Sequence, residues 1–231
     1  GSLQKTAALS DPLLRAVLRA TAWHSLPMEG PMTALRLDLL ELDDSALMVE
    51  PVLGFAAALA TQMFRQEFVC LESKGERDRL AVLRAGLETG DGDPVAPALR
   101  VALYRPLSSL ALSEEVAEAL LSQREPALST LFAAILGEPR AERALMPGIP
   151  SLTPVLDDTS RAVAAMYDEN PFPRWPRMGP VPPLSMAAWV GDLRAQGYLL
   201  DRDGAGTGQH PLLMARSFPD TRFLGIDIAR R

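Results

Sequence analysis

Cysteine and histidine are nearly missing from this chain, and each shortage removes a class of chemistry. The one cysteine, Cys70, has no second thiol to pair with. An internal disulfide is excluded, and a reducing, cytoplasmic compartment is expected. The two histidines, His24 and His210, lie far from each other and from Cys70, so no metal-ligand spacing results. An excess of cationic charge is absent too. Lysine and arginine number 23 against 29 acids, for a net charge of −6, and no basic stretch marks a nucleic-acid surface. The apolar stretch Val52–Met63 is too short to cross a bilayer, so no membrane partner is expected. The first residues lack a basic region followed by an apolar run, and no secretory leader is expected. Before residue 150 there is no clean apolar–polar alternation and no repeat at 33 or 34 residues.

What is present is a 231-residue chain that is 48% hydrophobic, enough to bury a core in one or two domains. Its first two-thirds read as helix. Asp11-Pro12 opens one helix, with Asp11 as N-cap and Pro12 at the first helical position. A second is predicted over Met32–Leu42, and a third from Glu50-Pro51 to about Leu71. The third carries Val52, Phe55, Ala56, Leu59, Met63 and Gln66 at helical spacing. Further helices are expected at Arg77–Leu87, Pro94–Tyr104, Glu114–Gln123 and Pro126–Leu136. Ser113 precedes two acids that suit a first turn. Gly90–Asp93 and Gly137–Pro139 read as connecting turns. His24 reads as an ordinary helix residue, Cys70 as a small buried hydrophobe, and the nine methionines as core filling.

Asp157-Asp158 can cap a helix to about Tyr167. Between Pro171 and Pro183 six of thirteen residues are proline, so this segment can be neither helix nor central strand. It reads either as a linker or as a lid, with Tyr167, Asn170, Phe172, Arg174 and Trp175 on a stiff backbone. Ser185 then caps a helix to about Gln196. The fold expected is mostly α: an all-helical domain at 1–156, a helix and proline-rich hinge at 157–184, and the first β-α-β unit of a Rossmann-like domain at 185–231.

That last unit carries the chemistry. Tyr198–Asp203 is predicted as a strand, Gln209–Ser217 as a helix, Pro219-Asp220 as the turn out of it, and Arg222–Ile228 as a second strand. Between the first strand and the helix runs Gly204-Ala205-Gly206-Thr207-Gly208-Gln209-His210. The three glycines allow a tight turn and close approach of a ligand to the backbone. Asp227 follows Gly208 by 19 residues, near the spacing at which an acid meets ribose hydroxyls. A dinucleotide fingerprint wants Gly-x-Gly-x-x-Gly, whereas here Gln209 holds the last place and the third glycine comes one position early. A nicotinamide cofactor is disfavoured on that ground.

Gly204–His210 followed by Leu224-Gly225-Ile226-Asp227 resembles the first two motifs of class I S-adenosylmethionine-dependent methyltransferases. Tyr167-Asp168-Glu169-Asn170-Pro171-Phe172-Pro173-Arg174-Trp175 resembles a signature of bacterial methyltransferases fused to tetratricopeptide repeats. Phe64-Arg65-Gln66-Glu67-Phe68-Val69 is similar to the middle region of those proteins. The resemblance implies that Gly204, Gly206 and Gly208 lie against the methionine part of the cofactor, bordered by Ala205, Thr207, Gln209 and His210. It also implies that Asp227 accepts hydrogen bonds from the two ribose hydroxyls. It names no catalytic base and no methyl acceptor.

Two departures shape the expectation. Asp201, Arg202 and Asp203 place charge at the end of a strand that parallel sheets normally bury on both faces. The 35 residues from Gly197 to Arg231 also suffice only for strand, helix and strand, so the adenine pocket and acceptor site are expected outside this chain. The alternative is a non-catalytic helical interaction module that retains a degenerate cofactor motif. Its helical domain would bind a second copy of the chain or another protein.

Overall fold

A computed structural model describes residues 7–20, 26–149, 156–169 and 209–219, with isolated positions at 185, 188, 191, 195 and 222. The chain divides into two compact units, Gly1–Leu145 and Met146–Arg231. Among the described residues regular structure is helical and no strand occurs. The first unit comprises α1 (Pro12–Ala20), α2 (Leu26–Glu41), α3 (Asp44–Leu47), α4 (Val52–Arg65), α5 (Lys74–Thr89) and α6 (Val95–Ala102). A 3₁₀ turn at Leu107–Ser109 leads to α7 (Glu114–Leu121) and α8 (Pro126–Phe132). A π turn at Ala133–Gly137 then runs directly into α9 (Glu138–Leu145). In the second unit are α10 (Asp158–Glu169) and α11 (Gln209–Ser217).

The helix starts follow from local polar residues. The Asp11 carboxylate accepts from the Leu13 and Leu14 amides at 2.8 and 3.2 Å, so it caps α1 as its place before Pro12 requires. Ser113 accepts from the Val116 amide at 3.3 Å and starts α7. Asp157 accepts from the Ser160 amide at 2.7 Å and starts α10. Ser73 and Glu76 form a reciprocal capping box at the head of α5.

α4 is the axis of the first unit. Every residue from Leu53 to Phe64 is buried, as expected for a helix that is apolar nearly all round. α1, α2, α3, α6 and α8 all pack on it. Small residues let them come close, with Ala56, Ala58 and Ala60 fully buried. At Gly54 the approach is closer still. A Cβ there would lie 2.6 Å from Arg15 Nη1 and 2.5 Å from Glu50 Oε1, two groups that pair across the glycine at 2.9 Å. Arg19 also donates to the Gly54 carbonyl at 3.2 Å.

Two expectations are corrected here. α4 stops at Arg65 rather than near Leu71, because Glu67 and Phe68 take left-handed backbone angles, φ 52° and 55°. The Phe68 amide returns to the Met63 carbonyl at 2.9 Å, and the Phe68 ring folds back edge-on to Phe64, centroids 6.3 Å apart. Left-handed angles cost on the order of 1–2 kcal/mol each outside glycine. The packing of Phe68 on the core and the burial of Cys70 beside it offset that cost. The turn expected at Gly137–Pro139 is likewise not a break. Pro139 has no N–H and its ring crowds the carbonyl four residues back. The chain widens into the π turn, the Glu138 amide bonding the Ala133 carbonyl, and helix resumes. The short helices at Asp44–Leu47 and Leu107–Ser109 carried too little periodicity to be expected, and α2 begins at Leu26, six residues before its predicted start.

In the second unit α11 has the bounds read from the sequence, Gln209–Ser217, and Pro219 lies in the turn that follows. Ala188, Gly191 and Ala195 are helical within the predicted 185–196 helix. The Tyr198–Asp203 strand lies outside the described residues. So does the Arg222–Ile228 strand except for Arg222, which is exposed and outside regular structure. Of the expected β-α-β unit, a helix at Gln209–Ser217 falls among the described residues, and no β-α-β unit is shown.

Phe55 has no exposed surface at the centre of this packing. Phe55→Ala is expected to cost about 3–5 kcal/mol. Chemical denaturation followed by helical circular dichroism checks it, and a loss below about 1 kcal/mol would contradict the placement of α4 as the core helix.

Candidate functional site

The glycine run expected to form a cofactor loop meets the described residues at one point. Gln209 and His210 form the first turn of α11, directly after Gly208, so the glycine run ends at a helix N-terminus. Such an end presents unpaired amides and the positive pole of the helix dipole. Gly204, Ala205, Gly206, Thr207, Gly208 and Asp227 lie outside the described residues, and of Gln209 and His210 only the backbone is described. At the far end of α11, Ser217 and Phe218 are buried and the Phe218 amide bonds the Met214 carbonyl at 2.9 Å. Of the lid residues, Tyr167 stands on the last turns of α10 and is exposed. Asn170, Phe172, Arg174 and Trp175 lie outside the described residues, as does His24.

Among the described residues, no group of three histidine, cysteine, aspartate or glutamate side chains could hold a metal ion. No helix there is long and apolar enough to cross a membrane. Cys70 is buried and free.

Among the described residues a strongly perturbed polar cluster lies in the first unit, and sequence reasoning does not find it. Arg36 of α2 is fully buried, and its guanidinium lies over the Tyr104 ring, 4.1 Å from the centroid. Its Nη2 donates to the Leu71 carbonyl at 2.6 Å and stands 3.6 Å from Glu76 Oε1. The Tyr104 hydroxyl donates to the same oxygen at 2.8 Å, and the Ser73 amide donates to Glu76 Oε2 at 2.7 Å. Burial alone raises the Glu76 carboxyl. The hydrogen bonds from Ser73 and Tyr104 and the Arg36 charge outweigh it, so the net shift is downward. The Tyr104 hydroxyl is pushed strongly upward, by burial first and then by its bond to Glu76, with the Arg36 charge opposing. Tyr104 therefore stays protonated and donating. Next to this cluster Arg105 Nη2 holds Glu72 Oε2 at 2.6 Å, and Arg100 holds Asp44 at 2.6 Å.

This cluster ties α2, α5 and the end of α6 together. Its chemistry is that of a structural lock. One signal for it was in the sequence: Ser73 three residues before Glu76 has the spacing of a capping box, whereas Arg36 shares the stretch Ala34–Leu40 with Asp38 and is not singled out there. That spacing does not name the partner residues, which come from 28 to 68 positions away.

No protein-family model, curated protein or solved structure matches the chain.

A depressed native pKa means that Glu76 favours folding above its ordinary value of 4.5, and this contribution fades as pH falls through the native value. Tyr104→Phe removes one of the bonds that depress it and leaves Glu76 Oε1 short of a donor. A loss of about 1–3 kcal/mol at neutral pH is expected, with acid unfolding beginning at higher pH than in the wild type. Urea titrations across about pH 3 to 7 read both effects. Coincident acid profiles for the two proteins would contradict the assignment.

Proposed function

We propose that this chain is an S-adenosylmethionine-dependent methyltransferase, or the N-terminal part of one. The observation that carries the reading is the run Gly204-x-Gly206-x-Gly208 ending where helix Gln209–Ser217 begins, with Asp227 following 19 residues after Gly208. The proline-rich signature Tyr167–Trp175 upstream supports it independently. In this reading 185–231 is the start of a Rossmann-like domain, strand before the glycines and strand before Asp227.

The residues fit the group proposed. Glycines admit the ligand to the backbone without a Cβ in the way. The N-terminus of α11 offers amide donors and positive potential to the carboxylate of the methionine moiety. Ala205, Thr207, Gln209 and His210 border the same moiety. Asp227 supplies the acceptor that two ribose hydroxyl donors need once buried. The cofactor brings an already activated methyl sulfonium, so the work left to the protein is positioning an acceptor nucleophile in line and excluding water. Tyr167, Asn170, Phe172, Arg174 and Trp175 would wall that site.

S-adenosylhomocysteine, added to the protein isolated from its host, is expected to raise the melting temperature. At about one hundred times Kd the gain is about 2.7 kcal/mol, or several degrees. Asp227→Ala is expected to abolish the shift while leaving the unliganded melting point in place. No shift with the wild type, or an equal shift with Asp227→Ala, would overturn the cofactor reading or the ribose assignment respectively. The first result would favour the helical interaction module.

A further inference from the structure

The segment Glu67–Glu72 joins α4 to α5, and both helices are closed off without it. The Gln66 amide bonds the Gln62 carbonyl at 3.0 Å and completes the last turn of α4. The Ser73–Glu76 capping box completes the first turn of α5. The segment can therefore lift from the surface without unravelling either helix. Three clasps hold it down. Phe68 lies edge-on to Phe64, with its amide on the Met63 carbonyl at 2.9 Å. The Leu71 carbonyl accepts from Arg36 Nη2 at 2.6 Å. Arg105 takes both carboxylate oxygens of Glu72, one of them at 2.6 Å.

Two features work against the clasps. Glu67 and Phe68 hold left-handed angles, which are unfavourable outside glycine. Val69 and Leu71 are 67% and 85% exposed, so the closed form gains little from their apolar surface. Between them Cys70 is buried. The Arg36 guanidinium that the segment helps to cover has no exposed surface, and its Nε and Nη1 have no protein partner among the described residues. We infer that residues 67–72 form a strap that opens as a unit about the Glu67–Phe68 turn while the helices stay folded, and that this opening brings the Arg36 guanidinium and the Cys70 thiol to solvent. In the open form water replaces the Leu71 carbonyl on Arg36, while Glu76 and the Tyr104 ring still hold it, so no charge is stranded. Local openings of this kind lie below global unfolding in free energy, and the elements that move in regulation are drawn from them. The closed strap withholds a cation with donors to spare, and the open strap presents it. The strap belongs to the first unit and owes nothing to the methyl-transfer reading.

Cys70 is the one cysteine of the chain, so its reaction with dithiodipyridine at fixed pH reads the opening at a single site. Labelling of the whole chain is expected to change little over low urea concentrations, because strap opening exposes far less surface than unfolding does. Arg105→Gln, which loosens the Glu72 clasp, is expected to speed labelling about fivefold. Glu67→Gly is expected to label about threefold more slowly than Glu67→Ala, since glycine takes a φ of 52° without strain and the alanine variant accounts for the lost side chain. Urea unfolding followed by circular dichroism shows that each variant is folded and gives its global stability. A thiol that reacts only as steeply with urea as the protein unfolds would overturn the inference. So would equal rates in the two Glu67 variants, or a rate in Arg105→Gln that changes only as its global stability does.

Discussion

Burying a guanidinium obliges the rest of the helical unit to come to it. Arg36 is out of water altogether, and an ion in that position costs several kcal/mol unless it is paired and hydrogen-bonded. Its partners are the Leu71 carbonyl, the Glu76 carboxylate and the face of the Tyr104 ring, which come from three separate stretches of chain. Nε and Nη1 of Arg36 have no protein partner among the described residues, so the cation relies on the partners it does have. Glu76 is in turn committed to Ser73 and Tyr104, which fixes the head of α5 against the end of α6. The apolar packing around α4 provides most of the burial. The Arg36 cluster selects one arrangement of the surrounding helices, since any other would strand a charge.

The strained turn after α4 belongs to the same arrangement. Glu67 and Phe68 adopt backbone angles that cost free energy, and in doing so they return the chain to present the Leu71 carbonyl to Arg36 and the Glu72 carboxylate to Arg105. Phe68 and Cys70 bury apolar surface on the way. Strain, burial and charge pairing are thus settled within the six residues Glu67 to Glu72.

Much of the helical unit was legible in the sequence because its signals are local. Asp11 before Pro12, Ser113 before two acids and Asp157 before Asp158 each announce a helix start, and each does cap one. The apolar spacing of α4 marked Phe55, Ala56, Leu59 and Met63, which are buried, but not that the helix is buried all round from Leu53 to Phe64, and it included Val52 and Gln66, which are half-buried. Helix ends were harder to read. The stop at Arg65 depends on a left-handed turn at Glu67 and Phe68, made without glycine and held by tertiary packing, which no local rule announces. Pro139 reads as a breaker by its chemistry, and only the widening of the preceding turn lets the helix absorb it. The Arg36 cluster joins residues tens of positions apart, and sequence periodicity carries no record of such pairs. On the cofactor side, the bounds of α11 were read correctly from Gly208 and Pro219. The glycines, Asp227 and four of the five lid residues lie outside the described residues, so the motif remains a proposal from residue types and spacing.

That proposal places the cofactor's methionine moiety at Gly204–His210 and its ribose at Asp227. The most direct measurement is ultraviolet cross-linking of methyl-tritiated S-adenosylmethionine to the protein, followed by proteolysis and mapping of the labelled peptide. The account predicts label within residues 204–228, suppressed by excess S-adenosylhomocysteine. Label confined to residues 1–145, or no labelling that S-adenosylhomocysteine suppresses, would contradict it.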